Sequence, residues 1–287
     1  MKHVLMAMCG LAVVSSAQAQ LVSNFEAPTY AGSANGTALT NGFGLGGQDG
    51  WYNPVNGSND GNVHTYAGNS LGLVTNPTGD AQFAAVRNTG ATGFGRAQHA
   101  VNFSNGVYTA AFDIGVDRIG GVLPALNNIG SFSLQPSATS RFWQTLYTWD
   151  NLATGNAFDA NYQFHNAAGA LQTATLPGTA WDALNLNTWY RQSTTWDFGT
   201  NRILSVSIDN LHDAAGPTVV DVSGLGWYLA GGAAPTQALP TDIRFFAGGG
   251  TNNTHVVGFD NLSIVPAPAS IALLGMGGLL AGRRRRA

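Results

Sequence analysis

The stretch Val107-Tyr-Thr-Ala-Ala-Phe-Asp-Ile114 alternates between side chains suited to a core and side chains suited to water. Successive side chains of a strand point to opposite faces of a sheet, so this alternation predicts a strand with one buried face. Residues 130–135 and 202–209 alternate in the same way. Further candidate strands are residues 21–26, 82–87, 96–103, 141–149, 189–198, 242–247 and 256–265.

Turn signals separate these candidate strands. Asn-Gly pairs stand at 35–36, 41–42, 56–57 and 105–106, and three glycines occupy 248–250. Asn-Gly pairs favour the tight turns of β-hairpins. Helical periodicity is nearly absent between residues 20 and 265, and strands do not alternate with helices. The sequence therefore predicts an all-β fold, an antiparallel β-sandwich over residues 20–264.

The composition excludes several classes of protein. Lys2 and the four arginines at 283–286 lie near the two ends, so residues 20–264 hold seven basic residues, all arginine, against all 15 acidic ones. A domain with this surplus of acid is a poor ligand for nucleic acid, which requires clustered basic residues. Cys9 is the only cysteine, so the predicted domain has neither a disulfide nor a thiolate.

The first 19 residues have the three parts of a secretory signal peptide. A basic start at Lys2 is followed by a short apolar run and by the small residues Ala17 and Ala19. This order is typical of a segment that signal peptidase removes, and we expect cleavage after Ala19. The mature chain would then begin at Gln20 and lie outside the cytoplasm.

The last 23 residues combine a proline pair, an apolar span and a basic end. Residues 269–282 carry no charge and would form a helix of about 21 Å, shorter than the roughly 30 Å of a bilayer core. Positive charge is retained on the cytoplasmic side of a membrane, so the tail predicts a short apolar helix that anchors the chain transiently. The basic end is Arg283, Arg284, Arg285 and Arg286.

This tail resembles the PEP-CTERM sorting signal of exported bacterial proteins. The resemblance rests on Val265, Pro266, Ala267 and Pro268, followed by the apolar span and the arginines. Ala267 stands where the family has glutamate. The resemblance implies processing by an exosortase-type enzyme near the prolines and delivery to the cell surface or extracellular matrix. It covers residues 265–287 and says nothing about the activity of the domain before them.

Features of the domain are similar to jelly rolls of the concanavalin-A/laminin-G type. These features are Phe25-Glu26 in the first strand, Gly47-Gln-Asp-Gly-Trp-Tyr52, Trp189-Tyr-Arg-Gln192 and the closing segment Gly258-Phe-Asp-Asn-Leu-Ser-Ile264. The resemblance implies an extracellular domain that binds carbohydrate, since lectins, carbohydrate-binding modules and some glycanases have this fold. One fold hosts many functions, so the site must be argued separately.

No catalytic pattern is present. Glu26 is the only glutamate, so the E-x-D-x-x-E arrangement of jelly-roll glucanases does not exist here. Asp113 and Asp117 lie four residues apart on a strand, or about 13 Å, which is too far for a retaining pair of carboxylates. We expect these two aspartates to be solvated residues near a strand end. A hydrolase with an unrecognised aspartate-based site remains an alternative.

Calcium and glycan are the candidate ligands. Glu26 and Asp260 lie on the first and last strands, which are often neighbours in jelly rolls, and could hold a structural calcium ion. Trp51 and Trp181 lie in predicted loops and are the expected glycan contacts, whereas Trp143 and its strand neighbours suit the core. The sequence thus favours an exported, non-catalytic surface protein that binds extracellular polysaccharide. A purely structural component of a polymer layer is the third alternative.

Overall fold

A computed structural model describes residues 20–55, 59–87, 94–119, 127–135, 141–151, 153–234, 238–248 and 255–267. The predicted signal peptide with Ala17 and Ala19, the apolar helix, Pro268 and the four terminal arginines lie outside the described residues. Within these ranges, no helix has the length and apolar character needed to cross a membrane.

The described residues form sixteen β-strands and one 3₁₀ turn, Gln48–Gly50. In chain order the strands are β1 (Leu21–Ser23), β2 (Thr37–Ala38), β3 (Asn59–Thr65), β4 (Gln82–Arg87), β5 (Gly95–Ala100), β6 (Val107–Arg118), β7 (Asn128–Gln135), β8 (Trp143–Trp149), β9 (Ala157–His165), β10 (Leu171–Thr175), β11 (Leu184–Asn185), β12 (Trp189–Asp197), β13 (Arg202–Asn210), β14 (Thr218–Asp221), β15 (Asp242–Ala247) and β16 (His255–Pro266).

The strands follow one hydrogen-bonded path that folds over into two layers. The front sheet has the order β10-β9-β8-β7-β15-β5, and the back sheet has the order β4-β16-β6-β12-β13-β14. Strand β3 joins them, because it pairs with β4 and, over two residues, with β5. The β3–β5 contact is parallel, and the other pairings along the path are antiparallel. The predicted all-β antiparallel sandwich is confirmed.

Aromatic side chains hold the two layers together. Phe245 of the front sheet stacks on Phe259 of the back sheet with ring centroids 3.9 Å apart. Trp143 and Trp196 meet edge to face at 5.2 Å between β8 and β12. Large aromatic rings bury much apolar area, which is the dominant favourable term in folding. The expectation that Trp143 belongs to the core is therefore confirmed.

The first and last strands are neighbours, as the sequence predicts. Strand β1 pairs with β16, with Leu21 opposite Ile264. It is shorter than the predicted 21–26, because Phe25 adopts a φ of 58°, outside the range of a strand, and buries its ring.

Strand β16 continues past the predicted domain boundary at residue 264. Val265 and Pro266 pair with Thr109 and Tyr108 of β6, and the Ala267 amide donates to Val107 O at 2.8 Å. The first three residues of the predicted sorting motif therefore extend the pairing of β16 with β6.

The Phe245 ring should be a major contributor to stability. It lies between Phe259 and Trp51, whose ring stacks on it at 4.8 Å. We expect Phe245→Ala to lower the free energy of unfolding by about 3–5 kcal/mol, because it removes buried apolar area and leaves a cavity. Urea denaturation followed by tryptophan fluorescence measures this change.

The same replacement at Phe43 is the matched control, because that ring is 58% exposed. Phe43→Ala should change the free energy of unfolding by no more than about 0.5 kcal/mol. Equal losses in the two variants would contradict this account of the core.

Candidate functional site

Trp51 and Trp181 do not form an exposed glycan platform. The two residues are 0% and 1% exposed. The Trp51 Nε1–H donates to Tyr30 Oη at 3.3 Å, and the Trp181 Nε1–H donates to Tyr162 Oη at 2.9 Å. A loop tryptophan can fold under its own loop when a buried hydroxyl accepts its N–H. The prediction that these two rings contact glycan at the surface is therefore wrong.

Asp113 is buried rather than solvated. It faces Arg191 of β12 on one side and Asp260 of β16 on the other, in register across the outer face of the back sheet. Arg191 donates from Nε to Oδ1 at 2.7 Å and from Nη2 to Oδ2 at 2.9 Å. Asp113 is 0% exposed, so the guanidinium compensates a carboxylate removed from water.

The loop of residues 66–81, here called the cover loop, closes over this row. Tyr66 Oη donates to Asp260 Oδ2 at 2.9 Å, and Asn76 Nδ2 donates to Asp113 Oδ2 at 2.9 Å. Asn261 donates its backbone N–H to Asp260 Oδ1 at 2.8 Å and its amide to Asp113 Oδ2 at 3.0 Å. The pairing of β16 with β6 shifts register between Asp260 and Ser263, and a φ of 48° at Asn261 fits such a bulge.

The pKa of Asp260 is raised to about 8, chiefly by burial. The negative charges of Asp80 and Asp113 also act to raise this pKa, while the hydrogen bonds from Tyr66 and from the Asn261 amide act to lower it. The carboxyl group is therefore protonated in much of the folded protein at neutral pH.

The contacts of Glu26 and Asp260 favour hydrogen bonding over shared calcium ligation. Glu26 Oε1 accepts the backbone N–H groups of Ala81 and Gln82, both at 2.7 Å. The oxygens of Asp260 face the hydroxyl, amide and backbone donors of Tyr66, Asn76 and Asn261. A calcium ion needs six to eight oxygen atoms turned towards one point. The carboxylate oxygens of Glu26 and Asp260 are turned towards hydrogen-bond donors instead. Calcium binding at this pair stays a prediction.

The outer face of the front sheet carries a second group of polar residues. Six side chains, here called the polar row, stand opposite one another on six neighbouring strands. They are Gln98, Arg244, Ser133, Gln144, Gln163 and Thr173.

Hydrogen bonds between neighbours fix the polar row. Arg244 Nε donates to Gln98 Oε1 at 2.7 Å, and Gln144 Nε2 donates to Gln163 Oε1 at 2.7 Å. Gln163 in turn donates to Thr173 Oγ1 at 3.1 Å. Side chains locked by such contacts lose little conformational freedom when they bind a ligand, so the row is preorganised.

A cleft of about 100 Å³ opens on this face beside the polar row. Arg96, Arg141 and Arg244 line it, together with the serines, glutamines and Asn128 of β7 and β8. The pKa of Arg244 is lowered to about 10, chiefly by burial and then by the nearby charge of Arg96. Burial also lowers the pKa of Arg96, as does the charge of Arg141. The guanidinium groups remain charged at neutral pH and repel one another.

A larger cleft of about 340 Å³ lies near the chain segment 179–185 and contains Asp182 and Asp213. Asp182 also forms an acidic group with Asp150 and Asp159, whose carboxylate oxygens lie within 4.8 Å of one another. Burial raises the pKa of Asp159, and its hydrogen bond with Asp182 raises it too. Asp150 and Asp182 are exposed, and exposed acidic groups of this kind are common without a bound ion.

Sequence reasoning missed the polar row although its signal was visible. The alternation in Gly130-Ser-Phe-Ser-Leu-Gln135 predicts a core face of Phe132 and Leu134. The same alternation places Ser131, Ser133 and Gln135 on the opposite face. What the sequence alone does not contain is the order of strands, which brings arginines from β5 and β15 beside these residues.

Comparisons with known proteins give distant structural similarities. The chain matches no protein-family model and no curated protein. It is similar to the binding domain of botulinum neurotoxin serotype G, with 11% identity, a TM-score of 0.39, and coverage of 72% of this chain and 44% of that one. The serotype D ligand-binding domain, solved with N-acetylneuraminic acid, gives 10% identity, a TM-score of 0.39 and coverage of 76% and 46%.

A carbohydrate esterase from the Shiga toxin-encoding bacteriophage phi24B gives 14% identity, a TM-score of 0.39 and coverage of 68% of this chain and 85% of that one. The chain spans less than half the length of the two botulinum chains. At such identities and TM-scores, the function has to be derived from the chain's own residues.

The raised pKa of Asp260 predicts a pH-dependent stability. Its folded pKa is about 8, against 3.8 for an ordinary aspartate, so the folded state keeps a proton that the unfolded chain releases. This carboxyl therefore makes the Tm fall as the pH rises from about 4 to about 8. Asp260→Asn should reduce that fall, measured by differential scanning calorimetry at several pH values.

Asp221→Asn is the control, because hydrogen bonds with Ser223 lower the pKa of this exposed aspartate, so its titration affects stability only below about pH 4. Between about pH 4 and 8 the Tm of the Asp221→Asn variant should follow the pH as that of the unmodified chain does. Equal pH dependence in all three proteins would contradict the buried-acid account. Calcium at Glu26 and Asp260 requires in addition that CaCl₂ raise the Tm of the unmodified chain and that EDTA reverse the rise.

Proposed function

We propose that the chain is an exported, non-catalytic β-sandwich that binds glycan across the outer face of its front sheet. The observation that supports this proposal is the polar row with its adjoining cleft. Gln163 and Thr173 are the accessible members of the row. The other four are 1–6% exposed, and three of these, Ser133, Gln144 and Arg244, line the cleft, so a sugar chain would contact the row at Gln163, Thr173 and the mouth of the cleft.

The chemistry of the row suits carbohydrate. A glutamine amide offers both donors and an acceptor, and serine and threonine hydroxyls offer both as well. Gln144 and Gln163 are held in place by each other and by Arg141, which donates to Gln163 Oε1 at 2.7 Å. Sugar hydroxyls present the complementary mixture of donors and acceptors, so a preorganised amide row can bind them.

The cleft lacks the groups that hydrolysis of a glycan requires. Glycosidases use two carboxyl groups flanking the scissile bond. The described residues that line the cleft include no aspartate or glutamate. Asp113 is occupied by Arg191, and Glu26 by two backbone amides. These contacts support binding without catalysis.

The ends of the chain support an extracellular location for this binding. The segment with Ala17 and Ala19 would be removed by signal peptidase during export. The tail from Val265 would anchor the chain to the membrane until an exosortase-type enzyme processes it. The domain would then remain at the cell surface or in the extracellular matrix, where polysaccharide is the partner that the polar row fits.

Binding to glycan should depend on Gln163. We expect Gln163→Ala to weaken retention on a bound polysaccharide about three- to tenfold, because hydrogen bonds within the row and to sugar are lost. Affinity electrophoresis through gels containing different polysaccharides measures the change.

Gln172→Ala is the matched control for Gln163→Ala. Gln172 lies on β10 opposite Phe164, one residue away from the row, and donates to the carbonyl of Leu171. The Gln172→Ala variant should bind the polysaccharide as the unmodified chain does. Release of soluble sugar would identify a hydrolase instead, and a lack of retention on every glycan would leave the structural alternative.

The tail can be tested in the native host. Replacing Arg283, Arg284, Arg285 and Arg286 by asparagine removes the charges that hold the end of the chain in the cytoplasm. We expect the variant to lose its membrane-bound precursor, as seen by cell fractionation and immunoblotting. Replacing two exposed residues of the domain, Leu171 and Val219, by serine is the control and should leave the precursor in place.

A further inference from the structure

The cleft on the front sheet follows strand β7. Ser131, Ser133 and Gln135 line it, and the residues between them on the strand point into the core. The residues that stand opposite the two serines on β15 and β8 all have larger side chains. Short side chains on one strand, flanked by long ones on both neighbours, leave a recess, and its volume is about 100 Å³. The recess therefore follows from the sequence of β7.

One end of the cleft has apolar walls. Ser131 stands between Phe246 of β15 and Leu146 of β8, in register with both. Both apolar side chains line the cleft and are half-buried, although they lie on the face of the sheet that carries the polar row. Neighbouring strands are about 4.8 Å apart, so the backbones of β15 and β8 are roughly 10 Å apart across Ser131. The gap between the two side chains suits a small apolar group such as a methyl.

An unpaired acceptor lies beside these apolar walls. Asn128 lines the cleft, and its Oδ1 is buried without a hydrogen-bond partner among the residues that the structure describes. The place that a Cβ atom on Gly248 would occupy is 3.0 Å from Asn128 Nδ2 and 3.1 Å from Cε1 of Phe246, so the amide and the ring are neighbours. The apolar end of the cleft thus combines room for a methyl group with an acceptor for one N–H.

The other end of the cleft contains a second unpaired acceptor. Gln135 is 2% exposed, and its Nε2 donates to Ser133 Oγ at 2.7 Å. Its Oε1 has no hydrogen-bond partner within the described part of the chain. A buried acceptor normally has a donor, and leaving it unpaired costs free energy. A ligand hydroxyl in the cleft would supply the donor.

We propose that the cleft binds the acetamido group of an N-acetylated sugar, so that the ligand of the front sheet is a polysaccharide containing N-acetylhexosamine. The methyl group lies over Ser131, between Phe246 and Leu146. The amide N–H donates to Asn128 Oδ1, and a hydroxyl of the same sugar chain donates to Gln135 Oε1. This inference rests on the proposed glycan-binding function and adds the chemical class of the ligand.

The size of the cleft fits a substituent better than a whole small molecule. Its volume of about 100 Å³ is well below the roughly 300–1,000 Å³ of small-molecule pockets. A hydroxyl would leave the gap between the apolar walls unfilled, and an acetyl ester has no N–H for Asn128. The acetamido group fills the gap and supplies the N–H, while the sugar ring lies outside the cleft. Both amide oxygens are sealed from water, so each side chain turns towards the ligand, and the new hydrogen bond favours that rotation.

The experiment compares polysaccharides with and without N-acetyl groups. Affinity electrophoresis of the purified full chain uses glycol chitin and chondroitin, which contain N-acetylglucosamine and N-acetylgalactosamine, respectively. Hydroxyethylcellulose and polygalacturonate are the neutral and the acidic polymer without acetyl groups. We expect retention by one or both acetylated polymers and much less by the other two.

Ser131→Val tests the cleft by filling the gap between its apolar walls. We expect about a tenfold loss of affinity for the acetylated polymer, because the methyl group and its N–H are excluded. The Tm should not fall, since valine adds apolar contact and is a favourable strand residue. Ser205→Val is the matched control, because Ser205 lies on β13 of the back sheet, opposite Thr195 and Asp221. The control should bind as the unmodified chain does.

Gln135→Met tests the other end of the cleft. Methionine has nearly the length of glutamine but lacks the unpaired oxygen, so the Tm should change by no more than about 3 °C. Affinity for the acetylated polymer should fall about three- to tenfold. A glutamine that only stabilised the fold would show the reverse, a lower Tm with unchanged retention. Gln172→Met, a replacement at an exposed position of β10, is the control and should change neither quantity.

The outcomes separate this inference from the proposed function. Equal retention by polymers with and without acetyl groups would overturn the acetamido ligand and leave glycan binding intact. Unchanged retention in Ser131→Val, or equal losses in Ser131→Val and Ser205→Val, would also overturn it. Retention by none of these four polymers would overturn this inference, and the proposed function would fall with it only if every other polysaccharide also failed to retain the chain.

Discussion

The contact between Phe245 and Phe259 fixes the relation between the two layers, and the orientation of the proposed glycan-binding face follows from it. Once Phe245 points into the core to stack on Phe259, the alternation of a strand turns Arg244 and Phe246 outwards. Pairing of β15 with β5 and β7 then carries this orientation to the neighbours of Arg244, which are Gln98 and Ser133. A one-residue slip in this register would bury the arginine and expose the phenylalanine, so core packing strongly specifies the polar row.

The sequence predicted the strands well where alternation was regular and apolar residues were large. Strand β4 was predicted with its observed bounds, and β6, β7 and β13 differ only by extension. Strand β9, Ala157–His165, was missed although Phe158, Ala160, Tyr162 and Phe164 alternate towards the core, because asparagine and aspartate between them resemble loop residues. The site was less predictable. Trp51 is buried against Tyr30, and Asp113 is buried beside Arg191, and in each pair the two residues are far apart along the chain. A single sequence does not indicate which distant residues meet.

The two outer faces of the sandwich satisfy their polar groups to different degrees. On the back sheet, the cover loop seals Asp113 and Asp260 from water and supplies them with hydrogen bonds, so the acidic row is internally satisfied. On the front sheet, Gln135 is 2% exposed, and its Oε1 has no hydrogen-bond partner among the described residues. A satisfied buried network rigidifies a fold, whereas an under-compensated one carries an energetic cost that a ligand can relieve. This contrast is the physical reason to place structure at the back face and binding at the front face.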